Sequence, residues 1–123
     1  MLKPGGRILF TDAMILSGVV SHQEIATRSS IGFYLFLPSG ENERLIREAG
    51  FELLSADDLT DSTASISRRW QDARDCRRED LMKIEGEASF SGLQRFLACT
   101  HTLSSERRLS RCEYLARKNA AAT

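Results

Sequence analysis

Ile8, Leu9 and Phe10 form an unbroken apolar run between Gly6 and Asp12. A short run without polar alternation predicts a strand covered on both faces. It also sets Asp12 at the carboxyl end of that strand, the edge at which open α/β sheets bind ligands. Residues 14–37 stay apolar but lack strand alternation. Within them Ser21, His22, Gln23 and Glu24 make a capping box that predicts the start of a short helix. Ile25 lies on the buried side of that helix, and Ile31, Phe33 and Tyr34 supply the turn after it. The stretch 33–37 before Pro38 is too apolar for an exposed loop, so it must cover a core, a ligand or a partner.

Ser39 and Gly40 precede a second helical pattern over 41–49, with Leu45, Ile46 and Ala49 as its apolar stripe, acids in its first turn and Gly50 at C′. Residues 51–56 read as a second strand closed by a polar run from Asp57 to Ser62. Strand, helix, strand is a right-handed crossover unit. Over 63–84 the positions Ile66, Trp70, Ala73, Leu81 and Ile84 keep helical spacing, interrupted at Arg77 where an apolar residue is due. After Gly86 a further helix carries Phe90, Leu93, Phe96, Leu97 and Thr100 on one face, and Ser104 and Ser105 are placed to cap a last short turn. Residues 112–118 alternate as a strand, with Cys112, Tyr114 and Ala116 opposing Glu113, Leu115 and Arg117. The tail from Asn119 onward is expected to fray. No repeat or flexible linker divides the chain, so residues 1–123 are read as one domain.

Composition narrows the class. With 41% hydrophobic and 28% charged residues the chain is an ordinary globular one, able to bury a core. No apolar stretch reaches the ~20 residues that span a bilayer, and no signal peptide opens the chain, so a cytoplasmic location without membrane contact is expected. Cys76, Cys99 and Cys112 are odd in number and never arranged as C-x-x-C, which predicts free thiols. His22 and His101 form no metal-ligand spacing, so no metal is expected. The net charge is zero, although acids dominate the first half and bases the second. The bases are interleaved with acids, as at Arg68, Arg69 and Asp72 or Arg77, Arg78, Glu79 and Asp80. That is the pattern of a solvated helix face bearing i,i+3 and i,i+4 pairs, and no nucleic-acid partner is expected.

Three segments carry a resemblance: LKPGGRILFTDA at 2–13, LIREAGFELL at 45–54 and YLARK at 114–118. In this order the chain resembles the C-terminal half of a class I S-adenosylmethionine-dependent methyltransferase of the small-molecule branch. The resemblance implies a partial Rossmann-like α/β fold of about three strands, two parallel and the last antiparallel between them. Residues 7–12 then lie beside 112–117, which lie beside 51–56, with a helical insertion at about 62–109. In that family the cofactor is held by a glycine-rich loop and an acid upstream of the LKPGG run, and no G-x-G-x-x-G occurs in this chain. S-adenosylmethionine is therefore implied for the full-length family, while the chain alone is expected to bind no cofactor and to be inactive. A strand meant to lie inside a larger sheet would leave an edge and apolar faces open. A homodimer, or a separate N-terminal cofactor-binding half, is the expected remedy. Whether the chain is an enzyme stays open. The alternative is a non-enzymatic interaction domain or subunit descended from a methyltransferase.

Methyl transfer from a sulfonium is an in-line displacement, so the protein mainly positions and desolvates the acceptor. No catalytic residue is assigned. The candidate substrate-binding residues are Asp12, His22, Arg28 and Tyr34. Asp12 closes the ILFTD run, which resembles one in the phosphoethanolamine branch whose acid contacts the substrate amine; equally, it ends a strand and caps the next turn. His22, in the first helical turn, falls several residues later than that branch's histidine and tyrosine cluster; it is a candidate base or a solvated imidazole. Arg28 and Arg69 are candidate anion contacts, or surface arginines. Tyr34 and Phe33 are pocket-lining candidates, or core aromatics, and Trp70 is read as packing.

Overall fold

The computed structural model describes residues 2–32 and 34–120. Phe33, a candidate pocket residue, and the last three residues of the tail lie outside the described residues. In chain order the elements are β1 (Arg7–Leu16), α1 (His22–Arg28), β2 (Leu37–Pro38), α2 (Glu41–Glu48), β3 (Phe51–Asp58), α3 (Thr60–Cys76), α4 (Arg78–Glu85), α5 (Glu87–Ser105) and β4 (Leu109–Lys118). One sheet runs β2-β1-β4-β3. β4 pairs antiparallel with both β1 and β3, and β2 pairs parallel with β1. The three long strands have the order and directions that the resemblance implies. The two-residue β2 raises the strand number from about three to four. It takes up the end of the apolar 33–37 stretch, setting Leu37 in register with Ile15, and the Ser39 N–H just after it donates to the Leu16 carbonyl.

β1 is longer than the sequence pattern predicts. It does not stop at Asp12; the pairing with β4 shifts register between Asp12 and Ile15 and continues to Leu16. A bulge inserts an extra residue and lets a polar side chain sit inside a strand. Asp12 serves it directly, its Oδ1 accepting the Met14 N–H at 2.8 Å. Beyond the bulge Met14 and Ile15 are buried, whereas Ile8 and Leu9 before it are exposed. The outer edge of β1 pairs only at Ile15 and Leu16 among the described residues.

One core cluster joins Ile15, Ile46, Tyr114 and Ala116, with Phe10, Phe51 and Leu53 packed against it. The Phe10 and Tyr114 rings lie 5.2 Å apart between neighbouring strands. Burial lifts the Tyr114 phenol to about 12. α2 ends as predicted, with Gly50 in the left-handed region that glycine adopts freely. Its buried face differs from the expected stripe: Asn42 and Ile46, one turn apart, are buried, while Leu45 and Ala49 are exposed.

The 63–84 pattern becomes two helices, broken at Arg77, where the apolar periodicity fails. α3 begins earlier than expected because the Asp58 carboxylate accepts the Thr60 N–H at 2.8 Å and holds the first turn. Its inner face is Thr60, Ala64, Ser67 and Arg74, and the predicted stripe of Ile66, Trp70 and Ala73 faces outward. α5 follows its pattern, burying Phe90, Phe96, Leu97 and Leu103. Ser104 and Ser105 belong to its last turn and cap no separate one. The three cysteines are free thiols. Among the described residues no helix is long and apolar enough to cross a membrane, and no His/Cys/Asp/Glu cluster could hold a metal ion.

Candidate functional site

β1 and β3 end, and β4 begins, at the same edge of the sheet, a direct result of the antiparallel pairing. A cavity of about 590 Å³ opens there, a size suited to a small molecule. Ala13 and Met14 form its floor, and α3 and α5 form its walls through Ile66, Trp70, Phe96 and Leu97. Arg28, Ile31 and Tyr34 close one side, and Arg111 of β4 enters from the sheet.

α1 delivers Arg28 to this cavity because both of its ends are fixed. At the N-terminus the predicted capping box is complete, with Ser21 Oγ accepting the Glu24 N–H and the Glu24 carboxylate accepting the Ser21 N–H. Glu24 also pairs with Arg108 at 2.7 Å, just before β4. The hydrogen bond from Arg108 is the main reason the Glu24 carboxyl is held down at about 2. At the C-terminus Arg28 closes the last turn, where a cation complements the helix dipole.

Arg28 is only 6% exposed. Its guanidinium carbon lies 4.9 Å from the Phe96 ring centroid and 5.5 Å from that of Tyr34. Cation–π contacts of this kind contribute about 0.5–2 kcal/mol, less than the several kcal/mol lost when a charge leaves water. Desolvation accordingly pulls the Arg28 pKa below its ordinary value, and the Arg111 charge adds to the fall. No ion pair involves Arg28 among the described residues. Its Nε has no hydrogen-bond partner. Arg111 spends one donor on Thr11 Oγ1, at 3.1 Å.

Of the four candidates read from the sequence, the structure brings Arg28 and Tyr34 together in the cavity. Asp12 and His22 lie outside its lining. Asp12 is engaged in the bulge and, through Oδ2, accepts Asn42 Nδ2 of α2 at 2.8 Å. His22 is exposed on the first turn of α1. Arg69 is exposed on the outer side of α3, in a shallow depression beside Ile66 and Trp70. Sequence reasoning missed Arg111, which shares the polar face of β4 with Glu113 and Arg117. Only the helices laid over that end of the strand make it a cavity residue. It also took Trp70 and Phe96 as packing, because a helical stripe reads the same whether it meets protein or a ligand.

No family model matches the sequence, and the search of curated proteins finds no similar one. Solved structures share its fold. A protein of Galdieria sulphuraria assigned as a sarcosine dimethylglycine methyltransferase superposes with a TM-score of 0.81 at 19% identity, over 98% of this chain and 44% of that one. Phosphoethanolamine N-methyltransferase 2 of Haemonchus contortus, in complex with phosphomonomethylethanolamine and S-adenosylhomocysteine, gives 0.82 at 17% identity, over 97% and 28%. A cyclopropane synthase of Mycobacterium tuberculosis gives 0.83 at 15% identity, over 95% and 46%. The chain thus has the fold of part of a class I S-adenosylmethionine-dependent methyltransferase and spans less than half the length of each of these proteins.

The residues described here do not fit the cradle of an adenosyl cofactor. The loop from β1 to α1 carries one glycine, Gly18, and it serves packing: a Cβ there would meet the Arg108 Cα at 3.0 Å. Gly40, Gly50 and Gly86 sit at helix ends. No carboxylate lines the cavity to accept ribose hydroxyls.

Proposed function

We propose that the chain is the acceptor-side half of a methyltransferase-like protein acting on a small molecule, with the methyl acceptor held between β1, α1, α3 and α5. The observation that carries this reading is the cavity's position at the carboxyl edge of β1 and β3, in a fold shared with methyltransferases. On this reading the S-adenosylmethionine cradle comes from polypeptide beyond these elements, and the chain's own residues bind, orient and desolvate the acceptor. Arg28 and Tyr34 are its substrate contacts. The open outer edge of β1, with Ile8 and Leu9 exposed, supports a pairing that extends the sheet, either with a cofactor-binding half or with a second copy. A cytoplasmic setting belongs to the same proposal.

The test is complementation. The chain alone should show no saturable S-adenosylmethionine binding by calorimetry, and a methyltransferase N-terminal half supplied in trans should restore S-adenosylhomocysteine release with a small-molecule acceptor. Micromolar binding by the chain alone, or a stable reconstituted complex that turns over no acceptor, would overturn it. Monomeric sedimentation at high concentration counts against the homodimer.

The second reading is a non-enzymatic interaction domain, favoured by the outward apolar residues of α3 and α4. Ile66, Trp70 and Ile84 are 57%, 51% and 81% exposed. A tight protein partner competing with small ligands for the cavity, with no activity on complementation, is its signature.

A further inference from the structure

Resting on the reading of the cavity as an acceptor pocket, we propose that it selects an amphiphilic anion, with a carboxylate or phosphate head bound by Arg28 and Arg111 and an apolar body against Met14, Ile66, Trp70 and Leu97. The charge balance of the lining leads to this class. Two arginines enter the cavity and no aspartate or glutamate does. Other arginines in the structure meet a carboxylate where they are withdrawn from solvent: Arg74 holds Glu85 at 2.7 Å and Arg108 holds Glu24 at 2.7 Å. Arg28 is more deeply buried than Arg108 and has no such partner among the described residues.

A buried cation without a counter-charge is destabilising, so its presence calls for a compensating group that arrives with the ligand. The geometry leaves room for one. The Arg28 guanidinium carbon lies over the Phe96 and Tyr34 rings, and its planar fork of N–H donors, which suits carboxylate and phosphate, meets no carboxylate among the described residues. Arg111, on the sheet side, adds a second positive charge. A cationic head meets repulsion from both, and a neutral one leaves both unpaired. The rest of the lining is mainly aliphatic and aromatic; of its hydroxyl residues Ser62, Thr63, Ser67 and Thr100, the last three already donate to nearby backbone carbonyls, so a ligand that is polar throughout would lose most of its hydration without replacement. The ligand class is therefore an acid with an apolar body.

The chain reports its own binding. Trp70 is the single tryptophan and lines the cavity, so its fluorescence follows occupancy. Four probes with the same alkyl chain separate the contributions: decanoate, decyl phosphate, 1-decanol and decyltrimethylammonium. At least one of the two anions should shift Trp70 emission saturably and bind roughly ten-fold or more tightly than decanol, the scale of a charged hydrogen bond, and the cation should bind weakest. Preference for decanoate or for decyl phosphate assigns the head group. Arg28→Met should erase the anion preference, read as the ratio of anion to decanol affinity, and Arg28→Lys should restore part of it. Should Arg28→Met fail to fold, Arg111→Met provides the same comparison. Equal affinity for all four probes, or an anion preference untouched by both variants, would overturn the inference. The readout needs no methyl transfer: anion binding in a protein that never turns over sinks the enzymatic reading alone, and turnover of neutral acceptors without anion preference sinks this one alone.

Discussion

α3 and α5 are neighbours in one layer and are built on opposite rules. α5 keeps its apolar residues inside, with Phe90 and Leu103 fully buried. α3 turns its apolar residues out and presents Thr60, Ala64, Ser67 and Arg74 to the interior. Small side chains let the two helices approach, and polar bonds lock them. The His101 ring lies 2.8 Å from the Ala64 carbonyl through Nδ1, and Gln94 Nε2 donates to the Gln71 carbonyl at 3.0 Å. The Arg74 Nε donates to Gln94 Oε1 at 2.8 Å. Every polar group on that inner face has to find a partner, since an unpaired one costs about 1–3 kcal/mol. The difference teaches which helix carries the core and which one leaves its apolar side open.

Substitutions can break this contrast, most severely in α5. Phe90→Ala should lower stability by about 3–5 kcal/mol, the usual cost of an aromatic removed from a core, read by urea denaturation. Next comes Arg74→Met, which strands Gln94 and Glu85 and is expected to cost about 2 kcal/mol, below the figure for a fully buried pair because Glu85 is partly exposed. An unchanged midpoint would show that α3 is not held by its polar face. Ser21→Ala removes the cap of α1 and should cost about 1 kcal/mol, while loosening Arg28 and lowering anion affinity in the Trp70 titration.

The same cap carries a pH signature. Because the Glu24 carboxyl sits at about 2 in the folded protein against 4.5 ordinarily, its contribution is complete above the ordinary value and fades as pH falls towards about 2. The melting temperature should therefore drop more steeply with acid in the parent than in Glu24→Gln. Smallest in stability is Trp70→Ser, expected to stay within about 0.5 kcal/mol because the ring is half exposed. Its effect should fall on ligand affinity instead, followed by calorimetry.

Local chemistry was the most legible part of the sequence. The Ser21 to Glu24 cap, the Gly50 terminator and the break at Arg77 all act within one or two turns, and the structure has each of them. The order of the three long strands came from the resemblance, since no residue pattern specifies which strands pair. What escaped depends on contacts distant in sequence. An acid in an apolar run ordinarily marks a strand end, and the bulge at Met14 together with the Asn42 side chain, thirty positions on, satisfies Asp12 inside β1. Leu45 and Ile46 are equally apolar, and packing against β3 and the core chooses one. Helical periodicity located the stripe on α3 but carried no information on whether protein or an open cavity would meet it. The two arginines of the site come from a helix end and a strand start more than eighty residues apart.

β1 and β3 never touch; β4 lies between them and supplies the hydrogen bonds of both. That joining segment is the last of the four strands in the sequence, so until it is made the edges of β1 and β3 that it bridges stay unpaired. Helices α1 to α5 can nucleate during synthesis, but the sheet closes only in one late, long-range step.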